Sequence, residues 1–180
     1  MPRLTDWYIG TDGHVYLRYL RADVPVSKIT QTAGTATVTA EAHGLSAGDV
    51  VCIEGCQQEA YNGDQTILAV TTDTFTFAVD SDTASPATPR DKATGILCGA
   101  YLDDATVTGA LTTQAGVAVT GASSLSFDYL TGSPGHYVTT LPDTLTLTEG
   151  TTYVLTITAT SAAGAVLNTR LQGVAQYAGM

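Results

Sequence analysis

The chain has 180 residues, 44% of them hydrophobic, enough to bury a core without disulfides or metals. Its 7 Lys+Arg against 17 Asp+Glu leave a net charge of −10, which excludes the basic surface that a nucleic-acid or anionic-membrane partner requires. Only 13% of residues are charged, and Thr, Ala, Gly and Val dominate, a composition that predicts an all-β protein.

The N-terminal stretch MPRLTDWYIG lacks the basic start and apolar h-region of a secretory signal, so synthesis in a cytoplasm is expected. No apolar run approaches the roughly 20 residues that a membrane-spanning helix needs. Residues 1–14 read as an N-terminal arm. Trp7, Tyr8 and Ile9 are too apolar for a free tail, and an arm of this kind suits docking on a neighbouring subunit through buried aromatics. These three are the candidate partner-binding residues.

Val15 to Ala22 (VYLRYLRA) then reads as one strand, preceded by the turn-like GTDGH and followed by a break at Pro25 and Lys28. A self-contained unit is predicted over 29–97. ITQTAGTATVTAE is a strand pair around Gly34; HGLSAGD is a loop; VVCIEG is a strand; CQQEAYNGD is a loop ending on the turn dipeptide Asn62-Gly63. QTILAV and TFTFAV are two further strands joined by TTD, SDTASPATPRDKATG is a long Pro/Ser/Thr/Ala loop, and ILCGA closes the unit. Beyond Leu97 the runs are strands punctuated by turns at intervals near ten residues, the spacing of an antiparallel sandwich. LTLTEGTTYVLTITAT splits at Glu149-Gly150 like a hairpin, and Tyr153 is placed to act as a tyrosine corner if its hydroxyl returns to the backbone. SPGHYVTTLP turns at Pro134-Gly135 into a strand that ends at Pro142.

Several residue types that carry chemistry occur in this chain, and their spacing argues for structure. His43, Cys52, Cys56 and Cys98 could nominally complete a zinc site, but the spacing fits no finger or ribbon. Cys52 alternates with Val50 on a strand and reads as a small buried hydrophobe. Asp103-Asp104 and Asp80 with Asp82 are candidate calcium ligands, yet calcium takes six or more oxygens, and carboxylate pairs at strand ends read as solvated turns. His14, His43 and His136 each adjoin a glycine or lie in a predicted turn; no serine sits in a G-x-S-x-G elbow, and no Gly-rich phosphate cradle opens a helix. The expectation is no catalytic residue, no metal and no cofactor. His43-Gly44, Gly48-Asp49, Tyr61 and Asn62-Gly63 are read as loop-shaping residues, with the Tyr61 ring packed on the core.

The segments ATVTAEAHGL, SAGDVVCIEG, AYNGDQTILAV and TFTFAV together resemble a small β-barrel-like module common in bacteriophage virion proteins. The same pattern is similar to the first catalytic-cysteine half-domain of ubiquitin-activating enzymes, which does not itself carry the catalytic cysteine, so the resemblance implies no chemistry. The flanks, VYLRYLR with YLDDATVTGALTTQAGVAVTGA and GHYVTTLPDTLTLTEGTTYVLTITA, resemble a short Ig-like domain of tailed-phage structural proteins. In that type a short loop joins the first strand to the Y-L-x-D-A-T-V strand; here the module fills the interval between Arg21 and Tyr101. Insertion in a surface loop costs little when the inserted ends are close.

The expected fold is therefore all-β: a discontinuous Ig-like antiparallel β-sandwich over 15–28 and 98–180, with a small β-barrel-like domain, 29–97, inserted in its first loop. The resemblance implies a structural protein of a tailed-phage virion, made in the host bacterial cytoplasm. A capsid decoration or minor capsid protein is expected, binding the major capsid protein or other virion proteins as a homo-oligomer. Alternatives are a neck or tail-associated protein (tube or terminator) and a receptor- or glycan-binding appendage, which the 7% aromatic content supplies with few stacking platforms.

Overall fold

The computed structural model describes the backbone of residues 4–10, 12–162, 164 and 166–177, and, of these, the side chains between positions 9 and 176. Among the described residues every regular element but one 3-10 turn is a strand: β1 (Leu4–Ile9), β2 (Gly13–Leu17), β3 (Arg21–Asp23), β4 (Lys28–Thr32), β5 (Thr35–Thr39), β6 (Val50–Glu54), β7 (Gly63–Thr66), β8 (Ala69–Val70), β9 (Thr74–Ala78), β10 (Leu97–Tyr101), β11 (Thr106–Thr113), β12 (Leu125–Tyr129), β13 (Tyr137–Leu141), β14 (Thr152–Thr160) and β15 (Val166–Tyr177). The protein is all-β, and every strand pair except β1/β15 is antiparallel. No helix among these residues is long and apolar enough to cross a membrane.

The chain divides into two compact units, one formed by residues 1–19 with 103–180 and the other by 20–102. The first is a single seven-stranded sheet in the order β1-β15-β14-β11-β12-β13-β2. Thr and Val alternate with Tyr, Leu, Ile and Ala along β14, so that Tyr153, Leu155, Ile157 and Ala159 are buried while their neighbours are half-exposed. Val107 and Leu111 of β11, Leu125 and Phe127 of β12, Tyr137 and Leu141 of β13 and Val15 of β2 complete the same buried face. A flat seven-stranded sheet would hold its two edge strands about 29 Å apart. The link between Ile9 of β1 and Gly13 of β2 is three residues long and spans at most about 15 Å. The sheet must therefore roll until β1 and β2 lie on the same side, and rolling is what covers its apolar face.

The second unit has two four-stranded sheets, β3-β10-β6-β7 and β4-β5-β9-β8. Their inward residues make one core around Ile29, Val38, Val51, Ile53, Tyr61, Ile67, Phe75 and Phe77, all 2% exposed or less. Ile67 and Leu68, between β7 and β8, carry the chain from one sheet to the other.

The fold departs from the sequence reading at five places, one of them QTILAV, read as a single strand but divided between β7 and β8 in two different sheets. Leu4–Ile9, within the expected arm, is strand β1, paired in parallel with β15 from Leu4↔Gln172 to Ile9↔Tyr177. A stretch this rich in strand formers meets an edge strand with unsatisfied backbone groups and joins it. VYLRYLRA is two strands. Tyr19 takes a left-handed conformation (φ 59°), and this breaks the run and sends Arg21–Asp23 to pair with β10 in the other unit. Residues 20–28 and 98–102, read as parts of the sandwich, likewise belong to the inserted unit, because β10 pairs with both β3 and β6. LTLTEG forms no strand: residues 143–151 are a loop, and only the run after Glu149-Gly150 is strand β14.

Candidate functional site

The loops around the HGL…GD…YNG residues are built by side chains that bond back to the backbone. The His43 ring bridges two segments: its Nδ1 accepts from Leu45 N–H at 3.0 Å and its Nε2 lies 3.1 Å from the Thr74 carbonyl, an arrangement that puts the proton on Nε2. The ring stands edge-on to Phe75, with centroids 5.5 Å apart. Asp49 closes the next turn by accepting from Ser46 N–H at 2.8 Å. The Asn62 amide acts as a clamp, accepting from Cys56 N–H at 2.9 Å and donating to Cys56 C=O at 3.0 Å. Tyr61 is fully buried and donates its hydroxyl to Ala84 C=O at 3.0 Å; burial, together with the neighbouring Cys56, pushes this phenol up from its ordinary value.

Strand β4 and the loop before Asn62-Gly63 fasten the long Pro/Ser/Thr segment. The Gln31 side chain accepts from Gly34 N–H at 3.2 Å and donates its amide to Ser81 C=O at 2.6 Å and Thr83 C=O at 3.0 Å. Gln58 accepts from Thr88 N–H at 2.9 Å, and Arg90 forms an ion pair with Glu59. The main chain closes tightly here: Arg90 N–H donates to Gly55 C=O at 2.7 Å, and Gly55 has φ 88°. A Cβ at Gly55 would lie 3.0 Å from the Gly95 oxygen. Both the left-handed angle and the close approach demand glycine.

One groove in the inserted unit, about 410 Å³, is lined by Arg21, Asp23, Cys52, Glu54, Leu97 and Cys98 among others. Arg21 lies across Gly99, where a Cβ would meet its Cδ at 3.1 Å, and reaches Glu54 at 3.4 Å. Its guanidinium is 5.8 Å from the Tyr101 ring centroid, and Tyr101 donates its hydroxyl to Asp64 at 2.8 Å. Burial, reinforced by the bond to Asp64, pushes the Tyr101 phenol well above its ordinary range. Cys52 Sγ lies 3.6 Å from Glu54 Oε1. Burial raises this thiol, against the pull of Arg21, and raises Cys98 to about 12. Thiols raised in this way are protonated near neutrality and poor nucleophiles. The arrangement braces the outer face of the β3-β10-β6-β7 sheet: the Arg21 charge faces Glu54, and the Asp64 carboxylate faces the Tyr101 hydroxyl.

The remaining residues singled out by sequence fall as follows. Cys52, Cys56 and Cys98 are buried free thiols, and no group of three or more His, Cys, Asp or Glu among the described residues is placed to hold a metal. Asp103 accepts from Gly135 N–H at 2.6 Å and so anchors the turn before β13. Asp80 and Asp82 sit in the long loop, where Asp82 receives the Ser81 hydroxyl at 3.4 Å. His14 and His136 belong to the first unit and His43 to the second. The Trp7 and Tyr8 side chains lie outside the described residues; their backbones pair with Ala175 and Gln176, and Ile9 is half-buried. Tyr153 is the tyrosine corner expected of it: its hydroxyl accepts from Thr148 N–H, five residues upstream, at 2.9 Å. Arg21, Glu54, Asp64 and Tyr101 were not legible as a set, because they converge only through strand register.

No protein-family model matches this chain, and no curated protein matches it. Among solved structures it is similar to the phage phi92 endosialidase, at 16% identity and a TM-score of 0.34, over 87% of this chain and 31% of that one. The chain thus spans under a third of that protein's length, and a likeness this distant carries no functional argument.

Proposed function

We propose that this chain is a structural protein of a tailed-phage virion, acting as a capsid decoration or minor capsid protein that binds the head shell by protein–protein contacts. The observation that supports it is the use to which the HGL…GD…YNG residues are put. His43, Asp49, Tyr61 and Asn62 spend their polar atoms on neighbouring backbone groups. The motif that resembles virion modules is thus a scaffold for loops, as that resemblance implies. The strand order of the first unit and the Tyr153 corner fit the Ig-like half of the resemblance.

The test is particle composition and position. Purified virions from the producing host, analysed by mass spectrometry and by immunogold electron microscopy, should contain the chain with label on the heads. Label confined to tails or necks would move the protein to the other end of the particle, and absence from virions would overturn the reading altogether.

A further inference from the structure

We propose that the first unit self-associates edge to edge: β1 of one copy continues the sheet past β2 of a second copy, and β2 of the first past β1 of the second, in one two-fold dimer. Three observations carry this. The first is that both ends of the rolled sheet are open, since among the described residues β1 pairs only with β15 and β2 only with β13. Unpaired strand edges are templates for another strand.

The second is geometry. β1 runs parallel to β15, and five successive antiparallel pairings lead from β15 through β14, β11, β12 and β13 to β2. An odd number of reversals makes β2 antiparallel to β1. The three-residue link holds both edges on one side of the unit. A two-fold axis running along the strands keeps strand direction and exchanges the two edges. It therefore sets each β1 beside the partner copy's β2 with the antiparallel sense that edge pairing favours. The two strands are matched in length, at six and five residues. An isologous pairing of this kind closes both edges at once.

The third is what these edges lack. The outer strands of the other two sheets are guarded: β3 carries Arg21 and Asp23, β4 Lys28 and β7 Asp64, and β8 is two residues long. Charge and shortness are the usual devices that keep edges from pairing. β2 (GHVYL) holds no Lys, Arg, Asp, Glu or Pro, and β1 (LTDWYI) holds no Lys or Pro and a single charge, Asp6, in a run otherwise made mainly of strand formers. On the outer face of β2 the His14 and Tyr16 rings stack at 6.4 Å, with the Arg18 guanidinium 5.5 Å from the Tyr16 ring. That row is already ordered for cross-strand contacts.

The inference is independent of the virion reading and is tested on the isolated chain. Sedimentation equilibrium should give twice the 18.6 kDa chain mass at high concentration. Two single variants, Thr5→Cys and Tyr16→Cys, should then be mixed and oxidised, with the unmodified chain and its three buried thiols as control. Disulfide-linked heterodimers joining the two variants should exceed either variant's homodimer. A monomeric mass throughout, or homodimer cross-links at least as abundant as heterodimer ones, overturns the proposal.

Discussion

The Asn62 amide shows how much a single side chain can hold. It bonds both backbone groups of Cys56 and lies 3.4 Å from a Glu59 carboxylate oxygen, a geometry that needs an amide with both a donor and an acceptor. Asn62→Asp removes the donor, leaves the Cys56 carbonyl unpaired and sets two carboxylates together. The expected loss is about 1–3 kcal/mol, read from urea unfolding midpoints, and an unchanged midpoint would show that the clamp is dispensable. Cys98 supplies a pH dependence. Its burial raises the thiol from 9.0 to about 12 in the folded chain, so the unfolded chain loses this proton first as pH rises. Stability from this group is complete below the ordinary thiol value and is lost through the alkaline window above it. Cys98→Ala should therefore flatten the decline in unfolding midpoint between about pH 9 and about pH 12, even though it lowers the midpoint at neutral pH. An identical alkaline slope in both proteins would refute the assignment.

At the scale of elements, two contacts decide whether strands and loops reach their places. The loop 143–151 enters β14 under the control of the Tyr153 hydroxyl, which holds Thr148 N–H at 2.9 Å. Tyr153→Phe keeps the ring in the core and orphans that donor, at an expected cost of about 1–3 kcal/mol. Faster hydrogen exchange at Thr148, with the β14 amides unaffected, would identify the loop as the part released. Between β11 and β12, Gly109 is required by packing. A Cβ there would stand 2.9 Å from the Phe127 ring and 3.2 Å from Leu155 Cδ1. Gly109→Ala should cost about 1–3 kcal/mol through displacement of that ring, and a melting temperature within error of the parent would show that the ring moves freely.

For the molecule as a whole, the inserted unit has its own core and joins the rest of the chain at two adjacent points. Leu102 N–H donates to Leu20 C=O at 3.1 Å, so the unit's two ends lie side by side. Residues 20–102 expressed alone should unfold in one cooperative transition, because the apolar residues that fill that core all come from within the segment. A broad, non-cooperative melt would mean that the two units share their stability. The same boundary sets where the unit should be excised: at 20 and 102, since removal of 29–97 alone would leave β3 and most of β10 without β6.

The all-β class, most strand positions and the Tyr153 corner were legible in the chain itself. They rest on local chemistry: alternation along strands such as β14, turn residues such as Asn62-Gly63, and a tyrosine just past a turn. Loop-shaping roles for His43, Asp49 and Asn62 were legible for the same reason, since their partners lie in loops that the turns bring together. Tertiary structure alone decided the rest. Whether 4–9 was an arm or a strand depended on an edge of β15 more than 160 residues away, at the far end of the chain. Whether VYLRYLRA was one strand or two depended on a left-handed Tyr19 that no side-chain pattern announces. The brace of Arg21, Glu54, Asp64 and Tyr101 arose from the register of β3, β10, β6 and β7, and register is fixed by how whole sheets bury their faces.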